Sequence, residues 1–290
     1  MKHLTQVEEG RAHAEEILAN EIGDELDANK EQEETDDLLE GVHEHPELNI
    51  KDPAEINDNV KMETTSNNTF RKIDLQDTEE IHSKVRKLDI DQRMVVDIGV
   101  NYAKKFVQSM KRKSPRPTAP FVIVHGGAET DKSTVIDALS QTLETIFRTP
   151  GDDPNHPYII KAAFTGNAAL IIKGQTLHTS FNLPFGNDVL SMNDKIRDQR
   201  RTVLKNLRVL IIDEISLVKS DILYQIHFRL MKDIFQNDLP LGGIAVFVLG
   251  DVLQIKPTLG NFIYDPPSNK RLKLYNAVEN LWERFVVIKS

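Results

Sequence analysis

Four short runs of apolar, mainly β-branched residues limit the folds that this chain can adopt. They are FVIVH at 121–125, YIIKAAF at 158–164, RVLIID at 208–213 and IAVFVLG at 244–250. Runs of this kind are typical of parallel strands buried on both faces. Segments with helical character separate them, at 132–147, 166–173, 189–205 and 219–236. The alternation predicts an α/β domain in which a parallel sheet carries helices on both faces.

A helix and a basic segment precede the first of these strands. Residues 89–107 have the pattern of an amphipathic helix, and MKRKSPRP at 110–117 is predicted to be a basic loop broken by proline. Lys111, Arg112 and Lys113 in this loop are candidates for binding nucleic-acid phosphates. A solvated loop and a nuclear-import signal fit the same residues.

The charge of the chain is divided unevenly between an acidic arm and a basic body. Residues 1–80 hold 7 basic and 24 acidic side chains, a net charge of −17, whereas residues 81–290 hold 29 and 21, a net charge of +8. The first segment has few aromatic residues, so we predict a largely disordered arm over 1–84, with a short helix over 5–20, before a folded domain over 85–290. The arm fits either a site for a protein partner or a solvated spacer.

Several classes of protein are excluded by composition. The chain has no cysteine, which rules out a disulfide scaffold and a cysteine-ligated metal site. It also has no apolar run near the ~20 residues of a membrane span, and its charged N-terminus does not resemble a signal peptide. We therefore predict an intracellular protein without a membrane partner. His43 and His45 are a weak metal pair, because no third soft ligand is near them in the sequence.

The first apolar run leads into GGAETDKST, which has the position of a phosphate-binding loop between a strand and a helix. In such a loop, glycines allow backbone N–H groups to converge on phosphate, a lysine reaches the β/γ-phosphates and a hydroxyl binds Mg²⁺. The candidate residues here are Gly126, Gly127, Lys132, Ser133 and Thr134.

A pair of acidic residues follows the third apolar run. In VLIIDEIS, Asp213 and Glu214 stand where NTPases keep one carboxylate for the metal and a second one to activate water. The alternative is that Asp213 caps the next helix. Four apolar residues leading directly into two acids favour the metal site.

Further motifs suggest a family. In chain order they are LDIDQRMVVD, the phosphate loop, AAFTGNAAL with GQTLH, DEIS, and GDVLQ after the fourth run. This series resembles the Pif-type superfamily-one DNA helicases over about residues 85–290, and LKNLRVLIIDEISLV and NLWERF look most like the helicases encoded by Helitron transposons. An unrelated P-loop kinase is disfavoured by the GQTLH and GDVLQ segments.

The resemblance implies a RecA-like P-loop NTPase fold, ATP and Mg²⁺ as cofactors, and a role for each matching residue. Gln92 would contact adenine, Lys132 the phosphates, and Ser133 with Asp213 the metal. Glu214 would polarise the attacking water, and Gln254 would couple the γ-phosphate to DNA. Four residues would lie along single-stranded DNA: Thr165, Gly166, Thr176 and His178. For these four, a structural role is the alternative, since Gly166 and Gly174 fit turns and His178 fits a packed core.

Two departures from the family pattern weaken the predicted activity. Glu129 and Asp131 stand where the family has glycine, and Ile255-Lys256-Pro257 replaces Leu-Pro-Pro. The family also has a second RecA-like domain with an arginine finger, whereas this sequence ends at ERFVVIKS. We therefore predict a nuclear ATP-dependent 5′–3′ DNA helicase, acting in DNA repair, recombination, telomere maintenance or Helitron transposition on single strands or junctions, as a truncated and weakened copy. The alternative is a degenerate fragment that binds DNA or a protein without hydrolysing ATP.

Overall fold

The structure is a computed structural model that describes residues 70–71, 73, 75–127, 131–184, 192–251, 261–267 and 280–289. The predicted helix over 5–20 and the pair His43 and His45 lie outside these residues. Across the described ranges, no helix is both long enough and apolar enough to cross a membrane.

Six parallel strands form one sheet in the order β3-β2-β4-β5-β1-β6. They are β1 (Phe121–His125), β2 (Ile159–Ala163), β3 (Gln175–Thr176), β4 (Val209–Asp213), β5 (Ala245–Gly250) and β6 (Val286–Lys289). The four predicted strands are confirmed to within one residue at each end. The edge strands β3 and β6 were not predicted, because each is short and pairs on one side only.

Seven α-helices lie in the described part of the chain. They are α1 (Thr78–Lys87), α2 (Ile90–Arg112), α3 (Lys132–Phe147), α4 (Gly166–Ile171), α5 (Leu177–Phe181), α6 (Asp194–Leu204) and α7 (Ser220–Phe228). The chain continues from α7 into a π-helix, Arg229–Ile234, so the predicted helix over 219–236 is present with a change of winding. Short 3₁₀ turns occupy 215–217, 240–243 and 282–284.

Both faces of the sheet are covered, as the apolar runs predicted. Val122 and Val124 of β1 belong to a core cluster that includes buried residues of α2 and α3. Ile123, which points to the opposite face, is only 2% exposed, and Leu210 is fully buried. Together with the parallel strand order, this confirms the predicted α/β fold with helices on both faces of the sheet.

Helix α1 spans the domain boundary that was predicted between residues 84 and 85. Its Ile81 is buried, and the ammonium of Lys84 pairs with the carboxylate of Asp137 on α3. Phe70 is also buried and lies under the guanidinium of Arg200, 5.6 Å from the ring centroid. The folded body therefore includes residues before position 85.

Helix α2 is longer than predicted, and this corrects the description of 110–117 as a loop. The helix runs to Arg112, and Lys113 ends it in the left-handed conformation with φ 51°. Lys111 and Arg112 therefore lie in the last helical turn. Cations are favourable there, because they interact with the carbonyl groups that the end of the helix leaves unpaired.

Helices α2 and α3 run in the same direction across one face of the sheet. Gly99 of α2 allows the close approach, since a Cβ atom there would lie 2.7 Å from Leu139 Cδ1. Further along, the rings of Phe106 and Phe147 are 6.0 Å apart. Helix α3 starts after the end of β1 and ends before the start of β2, so its last turn lies near the edge where the strands begin. Because α2 runs in the same direction, Arg112 at its end lies near that edge too.

Candidate nucleotide site

The predicted phosphate loop has the expected position between β1 and α3. Gly126 and Gly127 follow the strand, and Ser133 and Thr134 lie exposed in the first turn of α3. Lys132 Nζ donates to the carbonyl oxygen of Gly126 at 2.8 Å and also to that of Gly127. The ammonium thus lies against the loop from which it would reach a phosphate. Residues 128–130, including Glu129, are outside the described ranges.

Asp131 occupies a backbone conformation that favours glycine. Its φ and ψ are 43° and 35°, and its side chain makes no capping hydrogen bond to α3. A left-handed conformation costs an L-residue roughly 1–2 kcal/mol, although aspartate tolerates it better than most. Asp131 is therefore less favourable than the family's glycine in two ways, because it adds a charge and because the left-handed backbone costs aspartate more than it costs glycine.

The acidic pair lies at the end of β4. Burial raises the pKa of Asp213, and the neighbouring carboxylate of Glu214 raises it further, whereas a backbone hydrogen bond from Glu214 and the ammonium of Lys132 lower it. Because β1 and β4 are parallel and lie on either side of β5, the end of β4 and the phosphate loop are at the same edge of the sheet. The N-cap position of the 3₁₀ turn after β4 is held by Glu214, not by Asp213. Asp213 is therefore not a cap.

The exit of β5 lies between the phosphate loop and the acidic pair, because β5 separates β1 from β4 in the sheet. Gly250 has φ 144°, and a Cβ atom there would lie 2.9 Å from the backbone nitrogen of Ile215. His125 Nδ1 of β1 is 3.7 Å from Asp251 Oδ1. His125 was not among the predicted site residues, although it is the one polar residue of its strand. Gln254 and 255–257 lie outside the described residues.

Thr165 connects the segment after β2 with the acidic pair. Its hydroxyl accepts from the backbone N–H of Ala168 at 3.2 Å, which caps α4, and donates to Glu214 Oε2 at 3.2 Å. This contact joins a predicted DNA residue to the predicted catalytic glutamate. Sequence spacing alone could not show it, because the two residues are 49 positions apart.

The other three predicted DNA residues lie near this edge of the sheet. Gly166 starts α4, and a Cβ atom there would meet nothing within 4 Å. Thr176 caps α5 by accepting from the N–H of Thr179 at 3.2 Å. His178 is half-buried beside the ring of Phe164 at 5.7 Å, and burial lowers its pKa. Packing thus contributes to the placement of His178.

The remaining predicted site residues, Gln92 and the three cations of 111–113, lie at opposite ends of α2. Gln92 is buried at the start of α2, where its side chain accepts from the N–H of Asp89 at 3.2 Å as part of a capping box. Lys111, Arg112 and Lys113 lie about 30 Å from Gln92 along α2, at 1.5 Å per residue. The structure does not bring these three cations to the edge that holds the phosphate loop, Thr165 and His178.

The donor atoms at the site suit magnesium. Ser133 and Asp213 offer a hydroxyl and a carboxylate, and Mg²⁺ prefers such hard oxygen ligands. The described residues contain no group of three or more histidine, aspartate or glutamate side chains that could hold a metal. Ser133 and Asp213 would hold the ion together with oxygen atoms of substrate phosphates and of water.

Comparison with known proteins then decides the family. The family model described as PIF1-like helicase matches residues 100–289. The chain belongs to the PIF1-like helicase family. The family match confirms the Pif-type part of the sequence resemblance and the RecA-like assignment of the fold.

Relatives of this PIF1-like chain include two yeast proteins. It is 32% identical over 139 residues to the ATP-dependent DNA helicase RRM3 of Saccharomyces cerevisiae, covering 47% of this chain and 18% of that protein. It is 29% identical over 158 residues to the ATP-dependent DNA helicase PIF1 of Candida albicans, covering 53% and 16%. The matched region is thus less than a fifth of the length of either relative.

Solved structures of Pif1 helicases are also similar. Unliganded Pif1 from Bacteroides sp. matches with 24% identity and a TM-score of 0.45, covering 70% of this chain and 41% of that one. Pif1 from Candida albicans matches with 22% identity and a TM-score of 0.46, covering 70% and 40%.

Proposed function

We propose that this chain supplies the first ATP-binding domain of an ATP-dependent DNA helicase that moves 5′ to 3′. The observation that supports the proposal most is the order of the parallel sheet, in which β1, which leads into the phosphate loop, and β4, which ends at the acidic pair, lie on either side of β5 with their carboxyl ends at the same edge. These are the groups that nucleotide phosphates and their metal need. The names of the yeast relatives, both ATP-dependent DNA helicases, support the same activity.

Each residue has a defined task in this proposal. Lys132 leaves the carbonyl groups of the loop and binds the β/γ-phosphates, while the N–H groups at the start of α3 face the same anion. Ser133 and Asp213 would hold Mg²⁺, which would supply positive charge beside the phosphates. Glu214 orients the attacking water and accepts its proton. Gln92 for adenine and Gln254 for the γ-phosphate remain proposals from the resemblance.

Single-stranded DNA is the proposed partner of the segment around α4 and α5. Thr165, Gly166, Thr176 and His178 lie after β2 and β3, on the edge of the sheet that also holds the nucleotide site. Solved Pif1 structures from Bacteroides include complexes with single-stranded DNA, which supports this class of partner.

A second candidate function is binding without hydrolysis. It is favoured by Asp131, which places a carboxylate in the phosphate loop and holds a left-handed backbone conformation. A chain in which this carboxylate repels ATP could still bind DNA through its other residues. The two candidates differ in one measurable property, which is DNA-stimulated hydrolysis.

Finer assignments are also proposals. LKNLRVLIIDEISLV and NLWERF support the Helitron-encoded branch of the family, and action on nuclear DNA follows from the same resemblance. Roles in DNA repair, recombination and telomere maintenance are proposed on the family alone. A protein partner for the acidic arm is proposed from its net charge of −17.

Binding of Mg·ATP to the full chain tests the proposal directly. We expect calorimetry to detect binding, and Lys132→Ala to weaken it by about tenfold or more, since a hydrogen bond to a charged group contributes roughly 1.5–3 kcal/mol. Phosphate release stimulated by single-stranded DNA would support the helicase, and binding of that DNA without phosphate release would support the second candidate. Equal affinity for Mg·ATP in the chain and in Lys132→Ala would contradict the helicase proposal and leave the second candidate.

The basic end of α2 is proposed as a separate DNA contact. Among the described residues, no ion pair involves Lys111, Arg112 or Lys113. We expect Lys111→Ala, Arg112→Ala and Lys113→Asn together to reduce the log–log salt slope of single-strand affinity by about 2, at roughly 0.7 per phosphate contact. Asparagine is used at position 113 because it tolerates the left-handed conformation.

A matched variant controls for net charge in this salt titration. Arg86→Ala, Lys87→Ala and Lys195→Ala also remove three exposed cations, but these lie on α1 and α6. This control should leave the slope within about half a unit of the original, because the removed charges are not in the proposed contact. The same slope in both triple variants would assign the end of α2 to another role.

A further inference from the structure

The hydroxyl group of Thr165 is shared between two elements of the proposed site. It accepts a hydrogen bond from the N–H of Ala168 and so caps α4, the helix that begins the proposed DNA segment. It also donates a hydrogen bond to Glu214 Oε2 at 3.2 Å. Both partners are within hydrogen-bonding distance in the same structure.

A threonine hydroxyl has one proton to donate and two lone pairs with which to accept. The bond from Ala168 uses a lone pair, whereas the bond to Glu214 uses the proton. A DNA phosphate oxygen has no proton, so it can hydrogen-bond to Thr165 only by receiving that same proton. A phosphate and Glu214 therefore cannot both accept a full hydrogen bond from Thr165 at the same time. The bond from Ala168 that caps α4 is compatible with either acceptor.

We propose that Thr165 is a positioning residue that holds Glu214 by a hydrogen bond from its hydroxyl group. A phosphate of single-stranded DNA then releases Glu214 by accepting this hydrogen bond in its place. The proposal rests on the function proposed above and adds a means by which DNA reaches the nucleotide site. With the bond to Thr165 intact, Glu214 is directed toward α4. Once the bond is lost, its carboxylate is able to turn toward the water that attacks ATP.

The surrounding backbone limits the movement to the side chain of Glu214. On one side of Glu214, Asp213 is the last paired residue of strand β4. On the other side, the backbone nitrogen of Ile215 lies so close to Gly250 that a Cβ atom on Gly250 would be 2.9 Å from it. The main chain at Glu214 is therefore held between a strand and a close contact. Rotation about side-chain bonds needs no change in either element, so binding at Thr165 can act on Glu214 without a domain movement.

A double-mutant cycle on single-strand affinity tests the competition without requiring hydrolysis. Glu214→Ala removes the competing acceptor, whereas Glu214→Gln removes the same charge but keeps an acceptor oxygen. In the full chain, we expect Glu214→Ala to tighten binding of an oligothymidine about fivefold more than Glu214→Gln does, the factor that corresponds to roughly 1 kcal/mol. In a Thr165→Val background, the two Glu214 variants should have the same affinity, because no hydroxyl proton remains.

Thr165→Ser provides the rescue, because serine keeps both the proton and the cap. The difference between Glu214→Ala and Glu214→Gln should return in this background. Thermal unfolding of each variant shows whether α4 is retained, since Thr165→Val also removes the cap. Equal affinities of the two Glu214 variants in the Thr165 chain would overturn the coupling while leaving the proposed function intact. No binding of the oligothymidine by the unchanged chain would instead refute the proposed function, and the coupling with it.

Discussion

Replacing Asp131 by glycine, together with Glu129→Gly, is expected to raise the affinity of the chain for Mg·ATP by well over tenfold. A carboxylate about 4–6 Å from a phosphate charge is unfavourable by roughly 3–4 kcal/mol at an effective dielectric near 20. Screening by solvent at the exposed Asp131 reduces this value. Glycine also stabilises the loop in a second way, because it adopts the left-handed backbone conformation at φ 43° without the steric cost that aspartate has. Calorimetric titration of Mg·ATP into each variant measures the change.

Single substitutions separate charge from backbone conformation in this experiment. Asp131→Asn removes the charge and keeps a residue that tolerates the left-handed region, whereas Asp131→Gly removes both obstacles. We expect the affinity to rise in the order Asp131, Asp131→Asn, Asp131→Gly. Lys132→Ala in the repaired loop should abolish the gain, because its ammonium is the side chain directed at the phosphates. A repaired loop that binds ATP no better than the natural one would show that the carboxylates are not the obstacle.

Gly174→Ala is expected to destabilise the folded chain by about 2–3 kcal/mol, the upper part of the range for overpacking. A Cβ atom at this position would lie 2.3 Å from the carbonyl oxygen of Lys161 and 2.8 Å from its carbonyl carbon. Both atoms belong to the backbone of β2, so relief requires β3 to move away from β2. For a domain of this size, the midpoint of thermal unfolding should fall by roughly 4–12 °C.

Gly166→Ala is the matched control for Gly174→Ala. Gly166 was predicted either to lie along DNA or to form a turn, and Gly174 was predicted to form a turn, but a Cβ atom at Gly166 meets nothing within 4 Å. We expect this variant to change the free energy of unfolding by less than about 0.5 kcal/mol, as for most unobstructed substitutions. If the two variants unfolded at the same temperature, the close approach of Gly174 to Lys161 would not be what requires glycine there.

Much of the fold could be predicted because it depends on local pattern. The four central strands are apolar runs bounded by turns, and such runs are recognisable without knowledge of their neighbours. The edge strand β3 has only two residues and β6 pairs with β1 alone, so neither has a strong pattern. The end of α2 was misjudged because Lys111 and Arg112 resemble loop residues by composition, although they suit the last turn of a helix.

The candidate site was predictable in its residue types and less so in its contacts. Parallel strands place their carboxyl ends at one edge, so the order of motifs after β1, β4 and β5 was enough to group Lys132, Asp213 and Glu214. Thr165 was assigned to DNA by the family resemblance, with no prediction of a contact to Glu214. The order of motifs could not show which atoms of these residues meet, nor that the side chain of Gln92, assigned to adenine by the resemblance, takes part in the capping box of α2.

The sequence by itself indicated the family, the order of the four central strands along the chain and the acidic and phosphate-loop residues, because short motifs and apolar runs carry each of them and their order along the chain is read directly. Only the tertiary structure decided that Thr165 donates its proton to Glu214, that Asp131 is left-handed, and that Lys111 and Arg112 lie far from the nucleotide edge. The bond between Thr165 and Glu214 joins side chains 49 positions apart in the chain. The other two features depend on the course of the backbone in the folded domain. Such contacts are fixed by packing across the sheet, and no local pattern encodes them.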